Sequence, residues 1–150
     1  MLAVMVLVHF RASGAEYSVR GLEGVGSDGL LVIVEEYPGE KQTAKAIKKQ
    51  VELRLLQSGI KIGGKSTRSA LYVNPHGNSS GGKATGLFYL MVEVKRPVNF
   101  KHQEKEYETR AIVWDTGGYV GRDNIRKAID VMMDMFLVDY LKANPKKKED

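Results

Sequence analysis

Residues 59 to 67 read GIKIGGKST, and Gly59, Gly64, Lys65 and Ser66 satisfy the phosphate-loop spacing G-x-x-x-x-G-K-[ST]. In such a loop, backbone N–H groups at a helix N-terminus face the phosphates, the lysine reaches them, and the hydroxyl holds Mg²⁺. A partial second match, GNSSGGK, runs from Gly77 to Lys83. The chemistry depends on context, because a strand must enter the loop and a helix must leave it. Here the order is reversed. A helical pattern precedes Gly59, which reads as the residue that ends it, and the residues after Ser66 read as a strand. The near-match continues through Ala84 into another strand. A second buried strand with an aspartate to support the metal is also missing in the expected form, since Asp115 is the sole strand-end aspartate. Both Gly-Lys segments are better explained as turns, and nucleotide binding through Gly59 to Ser66 stands as the alternative reading.

Other reactive side chains are scattered. His9, His76 and His102 are isolated, with no His-x-x-x-His or carboxylate spacing that would hold a metal. His76 lies beside Asn78 and Ser79, but no nucleophile-elbow sequence accompanies it. Asp130 and Asp134 share a helix face that an exposed polar surface explains. The chain has no cysteine, which excludes disulfides, thiol nucleophiles, zinc–cysteine sites and lipoprotein acylation. No acid, base, nucleophile and oxyanion set converges, so the expectation is a non-enzymatic protein with no catalytic residue, cofactor or metal.

The elements around these residues are those of one domain. A chain of 150 residues with 43% hydrophobic and 27% charged content can bury a core without staples. The net charge is +5, yet Lys41, Lys45, Lys48 and Lys49 are flanked by Glu40 and Glu52, and Lys146 to Lys148 end in Glu149 and Asp150. A solvated basic surface is expected, with no nucleic-acid partner. Residues 2 to 10, LAVMVLVHF, have the length of a signal-peptide apolar region, and Ser13-Gly14-Ala15 offers a peptidase site before Glu16. The run is too short to span a bilayer. Residues 1–15 are therefore expected to be a signal peptide, 16–145 a single domain of a periplasmic or secreted bacterial protein, and 146–150 a disordered charged tail.

Within the domain, Leu30 to Val34 reads as a central strand closed by the Pro38-Gly39 turn signal. Ala44, Ile47, Val51 and Leu55 recur at helical spacing over Thr43 to Ser58. Ile60 to Ile62 and Ala70 to Asn74 read as strands, and HGNSSGGKATG as a loop. In Leu87 to Lys95, Phe88, Leu90, Val92 and Val94 occupy one face. Tyr107 to Asp115 is the next strand, with residues 101 to 106 connecting and Gly117-Gly118 as a break. A last helix over 123 to 142 carries Ile125, Ile129, Met132, Met133, Phe136, Tyr140 and Leu141 as its apolar stripe. The expected fold is α+β: a two-layer, mixed, mainly antiparallel sheet of four or five strands with two helices packed on one face.

Four stretches in this order, LRLLQSGIKI (53–62), LYVNP (71–75), AIVWDTGGYVG (111–121) and MFLVDYLKANP (135–145), carry a resemblance. They resemble a group of small exported bacterial proteins of unknown function. That resemblance implies a fold similar to the N-terminal domain of TolB and work done through protein contacts. Val113 stands where the group has Thr, and no catalytic residue carries over.

With both helices on one face, the other face of the sheet would lack cover. Alternation places Tyr89 and Met91 there, joined by Tyr72, with Trp114 or Val113 completing the patch according to register. The expected partner of this surface is another protein or a second copy.

Overall fold

The computed structural model describes residue 19 and residues 21–36, 41–80 and 83–145. The expected signal peptide and charged tail lie outside the described residues. Among the described residues, the named strands and helices follow in the order β1 (Leu31–Val34), α1 (Lys41–Gln57), β2 (Ala70–Ser80), β3 (Lys83–His102), β4 (Lys105–Gly121) and α2 (Ile125–Ala143), with a 3-10 turn at Arg122–Asn124 before α2. The sheet order is β1-β2-β3-β4. β1 runs parallel to β2, and β2-β3-β4 form an antiparallel meander. A parallel pair needs a crossover, and α1 supplies it.

Both helices pack on one face of this mixed sheet. Ile47, Val51 and Leu55 of α1 and Ile129, Met132, Met133 and Phe136 of α2 join Val32, Leu71, Val73, Phe88, Leu90, Val92 and Val94 in one core. The fold is thus a two-layer α+β domain, as the alternation in residues 87–95 predicts. Helix α1 stops at Gly59, whose φ of 79° is left-handed. The Gly59 N–H donates to the Leu56 carbonyl and the Ile60 N–H to the Leu55 carbonyl, at 3.0 and 2.9 Å, a Schellman closure that only glycine adopts without strain. Helix α2 ends at Asn144, whose Nδ2 donates to the Leu22 carbonyl at 2.9 Å while its Oδ1 accepts from the Gly24 N–H at 2.9 Å.

Several expectations are corrected. Leu31–Val34 is an edge strand, not a central one. Among the described residues, the one bridge at its start beyond its pairing with β2 is the parallel Leu30↔Ile62. Residues 60–62 contribute that single bridge and no strand. The Gly- and Ser-rich stretch after Pro75 is the β2–β3 hairpin, with Ser79↔Ala84 and Ser80↔Lys83 still in register. Residues 101–106 are strand apart from the turn at Gln103-Glu104. Gly117 and Gly118 lie inside β4, opposite Met91 and Leu90. A side chain at Gly117 would meet the Tyr89 hydroxyl at 2.8 Å, so glycine here makes room rather than a break. Leu141 is exposed.

Candidate interaction face

The phosphate-loop spacing occupies a turn between two other elements. Gly59 closes α1, the Gly63 N–H donates to the Leu30 carbonyl at 3.0 Å, and the Thr67 N–H returns to the Gly64 carbonyl at 3.0 Å. Thr67 is buried directly against Gly63, where a Cβ would collide with its side chain. The chain then enters β2 at Ala70. No helix N-terminus follows Lys65 to face a phosphate, so the context that gives this spacing its chemistry is not formed here.

Asp130 and Asp134 are not an idle polar face. Arg54 of α1 donates to Asp130 at 3.1 Å and pairs with Asp134, and Gln50 adds a 2.8 Å bond to Asp130. These contacts fasten α1 to α2. His76 is an exposed β2 residue in register with Tyr89, His102 sits beside the β3–β4 turn, and His9 lies outside the described residues. Among the described residues, no group of three or more histidines and carboxylates could hold a metal.

The helix-free face is built by the residues that alternate with the core. From β2 it receives Tyr72 and Asn74, from β3 Tyr89, Met91, Glu93 and Lys95, and from β4 Ile112, Asp115 and Tyr119. Tyr72, Tyr89 and Met91 stand where the sequence places them. Trp114 does not. A bulge between Val94 and Lys95 shifts the β3–β4 register so that Trp114 pairs with Val94 on the helix side. There it is 3% exposed, its Nε1 donates to Asp139 Oδ2 at 3.0 Å, and its ring meets Phe136 edge-on at 5.3 Å. Val113, the extra residue of the bulge, packs against the core.

Two features of the face escape the sequence reading. Tyr119 lies opposite Tyr89 in the ladder, and the two rings meet edge to face with centroids 5.1 Å apart. They are 54% and 36% exposed. The signal was present as alternation from Asp115, hidden by taking Gly117-Gly118 for a strand end. Beside this pair lies a polar cluster. Glu93 is 5% exposed, its Oε2 2.8 Å from Lys95 Nζ, and that ammonium stands 4.2 Å above the centre of the Tyr72 ring. Lys95 thus neutralises a buried carboxylate and caps an aromatic ring together. The face presents aromatic surface beside a satisfied ion pair, a composition suited to a protein contact.

No protein-family model matches the chain, and no curated protein sequence does. Among solved structures it is similar to a point variant of the PelC dodecamer from Paraburkholderia phytofirmans, at 13% identity and a TM-score of 0.42, covering 77% of this chain and 85% of that one. A second PelC dodecamer structure from that organism gives 12% identity and 0.39 over 77% and 86%. A minor lipoprotein from Acinetobacter baumannii gives 12% identity and 0.28 over the same shares. No helix among the described residues is long and apolar enough to cross a membrane.

Proposed function

We propose that this chain is a non-enzymatic protein-interaction module of the bacterial envelope, and that it meets its partner through the helix-free face of the sheet. The observation that carries the reading is the exposed Tyr89–Tyr119 pair, a cross-strand aromatic unit with no cover among the described residues. Large aromatic side chains held rigid by a neighbour lose little entropy on contact and are enriched at interface centres. Export is supported by the apolar run and small-residue site within residues 1–15, and by the resemblance to small exported proteins.

Photo-crosslinking in the native bacterium tests the reading. A crosslinking residue at position 119 is expected to capture a protein, and the same residue at the exposed Lys48 of α1 to capture none. Tyr89→Asp should abolish the adduct while Trp114 fluorescence stays that of the folded protein. Equal capture from both positions, or a Tyr89→Asp variant that unfolds, overturns the assignment of this face.

A further inference from the structure

The β3–β4 ribbon continues past the end of β2. Ala70, the first β2 residue, pairs with Lys95, and from Arg96↔Ala111 to His102↔Lys105 the two strands have, among the described residues, only each other as strand partners. At about 3.3 Å per residue the arm projects roughly 20 Å. Every residue from Asn99 to Arg110 is exposed, and Phe100 stacks on Tyr107 with centroids 5.4 Å apart. A lone two-stranded ribbon is marginal in water and gains from a third strand.

The two edges of the arm are unequal. Gln103 and Glu104, with φ of 47° and 65°, form a two-residue turn. In such a hairpin the flanking pair, here His102↔Lys105, exchanges both backbone hydrogen bonds. Counting from that pair, Glu106, Glu108, Arg110 and Ile112 turn their backbone N–H and C=O groups away from β3. On β3 the outward positions are Pro97, Asn99 and Lys101, and Pro97 has no N–H to offer, which blunts that edge. The β4 edge contains no proline. It ends at the bulge, where Gly21 packs against the Val113 carbonyl. The stretch left open by the described residues is therefore Lys105 to Ile112.

We propose that this stretch pairs with the same stretch of a second copy, antiparallel about Thr109, joining two sheets into one. Backbone phase admits only registers that set outward-facing residues against outward-facing residues. Charge then selects among them. Centred on Glu108, two Glu108 carboxylates oppose each other between two Glu106–Arg110 pairs; centred on Arg110, two guanidiniums oppose each other; centred on Tyr107, Glu106 opposes the partner's Glu108. Only the register centred on Thr109 has attractive pairs and no like-charge pair. Centred on Thr109, Glu108 opposes the partner's Arg110 at both symmetry-related places, and the two threonines face each other, both favourable cross-strand pairs. This register runs from Glu106 to Ile112 and stops short of Gly21. Arg68 Nη2 lies 3.7 Å from Glu108 Oε2 in an exposed pair, a long contact that the partner's Arg110 can share. The contact is separate from the helix-free face and stands or falls independently of it.

Sedimentation equilibrium of the full chain over a concentration series tests the proposal. The wild type is expected to show a monomer–dimer equilibrium. Glu108→Arg or Arg110→Glu alone should raise the dissociation constant at least about tenfold, because each turns two attractive cross-strand pairs repulsive. The double variant Glu108→Arg/Arg110→Glu should restore dimerisation, since the exchanged pair is complementary again. A wild type that stays monomeric, single variants that dimerise undiminished, or a double variant no tighter than the singles each overturns the proposal.

Discussion

Phe136→Ala probes the seam between α2 and the sheet. Phe136 is 0% exposed, with Trp114 edge-on at 5.3 Å and Tyr140 at 5.6 Å. Truncating a phenylalanine in a closed core costs about 3–5 kcal/mol, the lost transfer free energy plus the cavity left behind. The edge-to-face contact with Trp114 is worth about 0.5–1.5 kcal/mol beyond area, which places the expected loss near the middle of that range. Urea denaturation followed by tryptophan emission is a direct assay, because Trp114 is the sole tryptophan and is buried. With a slope of about 1–3 kcal/mol/M for a small domain, the midpoint should fall by roughly 2 M at unchanged slope. A loss below about 1 kcal/mol would refute the packing, because surface substitutions reach that level and closed cores exceed it.

Two further outcomes are expected. Gly29 has φ of 101°, and a Cβ there would lie 2.9 Å from the Gly63 α-carbon, whereas Gly59, at φ 79°, faces open space. Gly59→Ala should cost about 1–2 kcal/mol for left-handed strain alone, and Gly29→Ala distinctly more, because backbone must move; equal costs on denaturation would refute the contact. Burial pushes the Tyr140 hydroxyl above its ordinary value of 10.0. The neutral form is favoured in the folded state, so the stability it contributes is complete below pH 10 and is lost as pH rises through the raised value. Thermal melts on either side of pH 10 should show a shallower alkaline decline for Tyr140→Phe, and an unchanged decline would refute the shift.

What could be read from the sequence follows burial. The stripes of α1 and α2 and the alternation of residues 87–95 are visible because one face of each is dry and the other wet. The arm has no dry face, so residues 99–110 carry no hydrophobic period, and their strands read as a connection. The turn Gln103-Glu104 adopts left-handed φ without the usual Asn or Gly, so it gives no turn signal either. Trp114 was assignable to a face only through the bulge at Val94/Lys95, which shifts parity by one residue and leaves no mark in residue types. Tyr72, Tyr89 and Met91 lie on the β2–β3 side of that bulge, where simple alternation holds. The Gly-Gly pair in β4 misleads because glycine's usual role is punctuation, while here Tyr89 needs the space above Gly117.

The Asn144 side chain closes the chain on itself. Its bonds to Leu22 and Gly24 join residues 122 and 120 positions apart, and the Nδ2 that donates to Leu22 also donates to the Tyr140 carbonyl of the last turn of α2 at 3.1 Å. Lifting the last turn of α2 would break the bond to the Leu22 carbonyl, and loosening residues 22–24 would remove partners of the Asn144 side chain. Residues 22–24 and the last turn of α2 are therefore expected to open together, so tension or proteolysis applied at one is expected to be felt at the other.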